Sequence, residues 1–216
     1  MDLTNKFSEN NLDLLPKVYE HPFGVKEYFY PNRFTYTDIK NVIDYLNKKF
    51  YNVNNIKHES PGLQTPGDFN LFLEEPFQKL KETYLESVEN YVNQKKLIDN
   101  LNLGKYNIFT WCYMNWKSSG RQDDTPVWHI HNPTHPDSIT GVFYLKLPKT
   151  NKGETKFHIG GNEFELPSRE LSWFLFPSTY LHAPGEIISN QKRYVLSVDI
   201  WFDETYDKIK VISGDF

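Results

Sequence analysis

Residues 126–148 read PVWHIHNPTHPDSITGVFYLKLP, two apolar runs on either side of a proline-rich loop. β-Branched and aromatic side chains pack well on a pleated surface, so both runs read as short strands, and Pro133 and Pro136 mark the residues between them as loop. The same texture extends outward. Upstream lies YNIFTWCYMNW (106–116), and downstream ETKFHI (154–159), FEL (164–166), ELSWFLFPS (170–178) and RYVLSVDIWF (193–202). About seven short strands separated by tight turns predict an all-β sandwich or barrel. Gly160-Gly161 is placed to turn a hairpin between two of them, and Gly141 to let the backbone pack closely where the loop re-enters the sheet.

Before residue 105 the apolar period is near 3.6 rather than 2. After an irregular opening containing Pro16, Pro22 and Pro31, the segment 36–50 places Ile39, Val42, Ile43, Leu46 and Phe50 on one helical stripe, with Thr37 as N-cap. Residues 58–70 read as a loop rich in proline and glycine. Pro76 then opens a longer helix with an apolar stripe of Phe77, Leu80, Tyr84, Val88 and Tyr91. Polar residues on their opposite faces mean that both helices need an apolar surface to lie on, which one face of the sheet supplies. The chain therefore divides into a helical N-terminal elaboration (1–104), a β core (105–203) and a closing segment (204–216) that reads as a terminal helix or a tail, all within a single domain of 216 residues.

Composition narrows the chemistry. With 38% hydrophobic and 16% aromatic residues, the chain has ample material for a core, which excludes a wholly disordered protein. No apolar run reaches the roughly eighteen residues that span a bilayer, and the first residues lack a secretory pattern, so a cytoplasmic protein without a membrane partner is expected. A net charge of −4 disfavours nucleic acid. The single cysteine, Cys112, excludes an intrachain disulfide framework and a cysteine-rich zinc site, leaving histidine as the residue type to follow.

Three of the seven histidines fall within 126–137. Strand alternation puts His129 and His131 on one face, where two imidazoles can share a metal ion, and His135 and Asp137 repeat the spacing across the loop. Taken alone, an H-x-H is explained equally well by surface histidines. A second cluster follows in FLFPSTYLHAPGE (174–186) and QKRYVLSVDIWF (191–202), which adds His182 and, at the head of the last strand, Arg193. Period two sets Arg193, Val195, Ser197, Asp199 and Trp201 on one face of that strand. If this face is interior, Arg193 is a buried cation that needs a carboxylate or phosphate to pair with. His158 reads as structural, and the five tryptophans as core or pocket wall.

The order of these motifs resembles the prolyl-hydroxylase-like branch of the iron(II) and 2-oxoglutarate-dependent dioxygenases. The likeness rests on His129-Ile130-His131-Asn132-Pro133, Val142-Phe143-Tyr144-Leu145, His182 and Arg193-Tyr194, and covers roughly residues 105–203. It implies a double-stranded β-helix (jelly-roll or cupin-like) core buttressed by the N-terminal helices. It also implies an oxygenase using Fe(II), 2-oxoglutarate and O2 to hydroxylate a C–H bond of a peptide or small molecule, releasing succinate and CO2. Carried over by position, His129 and His182 are metal ligands and Arg193 is the partner of the far carboxylate of 2-oxoglutarate. Tyr144, Ser197 and Tyr113 are further cosubstrate contacts. The departure is at His131, where the pattern has a carboxylate. His131 is the expected middle ligand because it ends the strand VWHIH; Asp137, or a shifted His135/Asp137 pair, is the alternative. Two other readings stand beside this one: a cupin-type three-histidine metalloenzyme that does not use 2-oxoglutarate, and a β-sandwich binding module without metal. Residues 58–70 and 117–126, the latter holding Arg121, are the expected rim loops.

Overall fold

The computed structural model describes residues 14–51, 62–66, 69–95, 106–116, 127–131, 138–149, 153–185 and 189–202. Two antiparallel sheets organise the chain. The first holds β1 (Lys17–Glu20), β2 (Lys26–Phe29), β3 (Leu63–Gln64), β4 (Tyr106–Asn115), β5 (Ile139–Lys146), β8 (Ser172–Pro177) and β10 (Arg193–Phe202), in the spatial order β1-β2-β8-β5-β10-β4-β3. The second holds β6 (Thr155–Ile159), β7 (Asn162–Leu166) and β9 (Leu181–Pro184), in the order β7-β6-β9. Two helices, α1 (Tyr36–Leu46) and α2 (Gln78–Lys95), complete the regular structure.

Alternation along the central strands builds two cores. Phe143, Leu145, Trp173, Leu175, Tyr194, Leu196 and Val198 face the helices, where they meet Leu46, Leu80, Tyr84, Val88 and Tyr91. Their neighbours in sequence, Val142, Tyr144, Phe174, Phe176 and Val195, face the second sheet and pack on Phe157 and Leu166. Both faces of β5, β8 and β10 are thus covered, and so these strands read as nearly continuous apolar runs. Each large side chain fully buried this way contributes about 1.5–3 kcal/mol. Trp173, fully buried, donates its indole N–H to Thr83 Oγ1 on α2 (3.0 Å), which fixes the helix against the sheet without leaving an orphan donor.

The expected helical stripes are the ones buried: Val42, Leu46 and Phe50 from the first segment, and Phe77, Leu80, Tyr84, Val88 and Tyr91 from the second. The cap differs. Thr35, not Thr37, is the N-cap of α1: its hydroxyl accepts from the Asp38 N–H (3.1 Å) while the Asp38 carboxylate accepts from the Thr35 N–H (2.7 Å). The α-helix also stops at Leu46, and a wider helical turn, Asn47–Tyr51, carries Phe50 into the core. Gly160 and Gly161 (φ 59° and 79°) turn the β6–β7 hairpin as read, the double positive φ being the form that two-residue hairpins favour.

Two expectations about strands are corrected. Between residues 17 and 29 the opening is not irregular, because β1 and β2 form a hairpin that extends the first sheet beside β8, and Leu63–Gln64 within the expected 58–70 loop pairs with β4. PVWHIH is not a ladder strand: only an isolated bridge, His129 to His182, ties it to β9. The expected rim loop 117–126 with Arg121, the residues His135 and Asp137, and the closing segment lie outside the described residues. Among the described residues, no helix is long and apolar enough to cross a membrane.

Candidate metal centre

The segment Val127–His131 spans the gap between the two sheets at one end of the sandwich. His129 is pinned to the smaller sheet: its N–H donates to the His182 carbonyl (2.9 Å) and the His182 N–H donates back (3.0 Å). His131 is pinned to the larger sheet, its N–H donating to the carbonyl of Ser178 just beyond β8 (2.9 Å). An antiparallel pair that exchanges both bonds holds its side chains on a common face. Accordingly the His129 and His182 rings lie 4.3 Å apart, with the His131 ring 5.2 Å from the first and 4.8 Å from the second. One ligand atom from each of the three falls within 4.8 Å of the other two.

Hydrogen bonding sets which nitrogen each ring offers. His129 Nδ1 is 2.9 Å from the Val127 carbonyl and His182 Nδ1 is 2.9 Å from the Tyr180 carbonyl. His131 Nδ1 is 3.0 Å from Asp199 Oδ1. A carbonyl or carboxylate only accepts, so Nδ1 carries the proton in all three rings and Nε2 carries the lone pair. Burial, reinforced by the neighbouring His131 and His129, pulls His182 well below the usual imidazole range, which keeps it neutral and able to coordinate. Three imidazoles converging in this way form a donor set suited to Fe, Zn, Cu or Ni.

A cavity of about 90 Å³ runs from these histidines to Arg193, with Tyr113, Thr155 and Ser197 also on its wall. Strand β10 places Arg193, Val195 and Ser197 on the cavity side and Tyr194, Leu196 and Val198 in the helical core, as period two requires. Arg193 is only 2% exposed, and its Nε has no hydrogen-bond partner among the described residues. Its guanidinium carbon lies 5.2 Å from the Tyr144 ring, and among the described residues no carboxylate comes within ion-pair distance of it. Burial lowers the Arg193 pKa, offset in part by Tyr144 and Tyr113. Tyr113 is itself pushed up to about 12 by burial, leaving a neutral hydroxyl at neutral pH. Tyr144 sits behind the wall, hydrogen-bonded through its hydroxyl to Thr155 Oγ1. A buried cation with an orphan N–H at the end of a cavity fits an anionic ligand, so the donor set and the cavity together accommodate a metal and a carboxylate.

The structure thus brings His129, His131, His182, Arg193, Ser197 and Tyr113 to one cavity and keeps Tyr144 one residue removed from it. Sequence reasoning passed over the partners of His131. Asp199 and Thr140 are cross-strand neighbours on β10 and β5, and the Thr140 hydroxyl donates to Asp199 Oδ1 (2.6 Å). Their signal was the strand period, which already puts Asp199 on the face of Arg193 and Ser197. Thr155 and Gln64, also on the wall, carry no such signal. His158 is exposed and pairs with Glu163 (3.3 Å) away from the cavity.

No protein-family model matches the chain, and no curated protein matches it in sequence. Solved structures do match in shape. A viral collagen prolyl hydroxylase from Paramecium bursaria Chlorella virus-1 is 18% identical, with a TM-score of 0.52 over 82% of this chain and 89% of that one. A Pseudomonas putida prolyl-4-hydroxylase is 12% identical, with a TM-score of 0.51 over 89% and 95%. The epimerase SnoN, solved with Fe3+, alpha ketoglutarate and nogalamycin RO, is 9% identical, with a TM-score of 0.60 over 82% and 78%. The resemblance carried by the H-x-H, distal histidine and final Arg-Tyr strand is therefore met at the level of the fold, which this chain shares with prolyl 4-hydroxylases and a 2-oxoglutarate-dependent epimerase.

Proposed function

We propose that this protein is an Fe(II)- and 2-oxoglutarate-dependent oxygenase whose two facing sheets form a double-stranded β-helix. The observation that carries the reading is the pairing, in one cavity, of three imidazoles with lone pairs on Nε2 and a buried guanidinium with no carboxylate at ion-pair distance among the described residues. His129, His131 and His182 would hold the metal. Arg193 would grip the far carboxylate of 2-oxoglutarate by a charge-assisted fork, with the Tyr113 and Ser197 hydroxyls beside it and Tyr144 bracing the guanidinium from behind. Iron(II) with 2-oxoglutarate and O2 supplies the oxidative decarboxylation, to succinate and carbon dioxide, that drives hydroxylation of a substrate C–H bond. The chain's own share is to hold three imidazoles in one tautomer, to orient the keto-acid by its remote end, and to line the cavity with apolar Val142 and Val195 that limit water.

Anaerobic calorimetry tests this directly. The metal-loaded protein is expected to bind 2-oxoglutarate stoichiometrically, and under O2 to form succinate; His182→Ala is expected to lose both. Stoichiometric metal without any 2-oxoglutarate binding would instead establish the second reading, a three-histidine enzyme of cupin type. That reading is favoured by one feature, the imidazole of His131 where the oxygenase pattern has a carboxylate.

A further inference from the structure

The three histidines are anchored unequally. His129 and His182 donate to neutral backbone carbonyls, of Val127 and Tyr180, whereas His131 donates to a carboxylate. Asp199 is only 4% exposed, and His131 is its only ion-pair partner among the described residues. Its Oδ1 accepts from His131 Nδ1 (3.0 Å) and from the Thr140 hydroxyl (2.6 Å). Thr140 has one proton; with that proton on Asp199, its oxygen accepts in turn from the Ser178 hydroxyl 2.9 Å away. Among the described residues, the imidazole and the Thr140 hydroxyl are the proton donors to this carboxylate. A buried carboxylate without a Lys or Arg is unfavourable unless a positive centre lies close by. The far side of the His131 ring offers a place for such a centre, since the ligand atoms of His129, His131 and His182 lie within 4.8 Å of one another.

Resting on the iron-centre reading above, we infer that Asp199 is a positioning residue for the metal: the negative charge that the oxygenase pattern puts in a directly bound carboxylate is supplied here by Asp199 acting through His131. The hydrogen bond fixes the ring orientation and its Nδ1–H tautomer and makes Nε2 a stronger donor. Thr140, directly opposite on β5, holds the carboxylate on the ring.

Asp199→Asn is nearly the same size and can still accept from Thr140, so it removes charge with little change of shape. The full chain, stripped with a chelator and handled without oxygen, is titrated with Fe(II) alone and with Co(II) alone. The wild type is expected to bind one ion, and Asp199→Asn to bind it about 10- to 100-fold more weakly, with a shifted Co(II) visible spectrum and a metal-free melting curve close to wild type. The charge reading makes a second demand that a purely structural role does not. In the background His131→Asp there is no imidazole left for Asp199 to act through, so adding Asp199→Asn is expected to weaken metal binding by much less than the roughly 10- to 100-fold expected in the wild type. Wild-type affinity and spectrum in Asp199→Asn overturn the inference while leaving the metal centre standing. A full loss of roughly 10- to 100-fold on adding Asp199→Asn to His131→Asp also overturns it, even if Asp199→Asn alone does not fold. A wild type that binds no stoichiometric metal overturns both the inference and the function on which it rests.

Discussion

Replacing Arg193 with methionine separates what the guanidinium does for a bound keto-acid from what it does to the fold. Arg193 is 2% exposed, its Nε is unsatisfied, and no described carboxylate pairs with it. Removing a charge from water to such a place costs several kcal/mol even after relaxation. The Tyr144 ring at 5.2 Å returns about 2 kcal/mol of that as a desolvated cation–π contact. A deficit of about 1–3 kcal/mol remains in the protein without cosubstrate, in line with the burial-driven lowering of the Arg193 pKa. Methionine, unbranched and apolar, fills much of the same volume without the charge, so the metal-free variant is expected to be more stable. At about 2–4 °C per kcal/mol for a chain of this length, the melting temperature rises by about 2–12 °C. Cosubstrate binding moves the other way. Truncating one partner of a buried, hydrogen-bonded charge pair costs about 2–5 kcal/mol, or roughly 30- to 5,000-fold in affinity. Scanning fluorimetry on metal-stripped protein and anaerobic calorimetry of 2-oxoglutarate in the presence of Mn(II) read the two effects separately. Undiminished 2-oxoglutarate binding by Arg193→Met would falsify the carboxylate pocket. A lower melting temperature would refute the claim that the buried charge is uncompensated.

His182 makes metal-free stability depend on pH. Burial holds its folded pKa well below the unfolded value of about 6.5, so below that pH the unfolded chain takes up a proton that the folded chain refuses. Stability is complete above about 6.5 and falls as the pH drops through it, by about 1.4 kcal/mol at pH 5.5; urea midpoints of wild type and His182→Leu should differ in slope by that amount, and parallel curves contradict it. Gly141→Ala puts a methyl group 2.3 Å from Tyr84 Cε2 and 3.1 Å from Leu175 Cδ2. Overpacking of that kind costs about 1–3 kcal/mol, and a thermal melt equal to wild type would show that α2 yields more easily than this packing implies. Cys112 is fully buried with its thiol pushed up to about 12; it is expected to be inert to a disulfide reagent in the native protein and to react fully in urea, and rapid native labelling would contradict that burial.

Elements with a strong periodic signal were legible, and those fixed by partners distant in sequence were not. The stripes Val42/Leu46 and Leu80/Tyr84/Val88 follow from period 3.6 because their burial is set by the helix itself. The hairpin at Gly160-Gly161 follows from the turn chemistry. By contrast β1 and β2 are short, with β1 exposed along its whole length, and they become strands only because β8 offers an edge. The run PVWHIH misleads for the opposite reason. Its residues have strand composition, but they lie across the gap between two sheets, where one reciprocal pair of hydrogen bonds with His182 replaces a ladder. For the site, alternation already placed His129 with His131 and Arg193 with Ser197, since period two needs no tertiary information. It could not show that Thr140 would stand opposite Asp199, because a register between strands separated by about sixty residues is decided by the whole sheet.

On the proposed oxygenase reading, that register also accounts for a cavity that would take a diacid and a divalent ion with His131 in place of a carboxylate. In the usual arrangement of such a site, an ion of charge two and an arginine are balanced by the two carboxylates of the keto-acid and one carboxylate ligand. Here the same four charged partners would meet once metal and keto-acid are bound, with Asp199 as the third carboxylate, displaced outward by the width of one imidazole ring. The sum is unchanged and only its distribution differs: the negative charge acts through a polarised N–H rather than a metal–oxygen bond. Two consequences follow for variants at this position. Deleting the charge at Asp199 leaves the cavity with a net positive charge, and adding one at position 131 without deleting Asp199 leaves it net negative. Only the pair of changes together restores the original sum. A substitution at Asp199 that matters less once the imidazole at position 131 is gone is what action through His131 requires, and independent packing effects at two positions would not produce it.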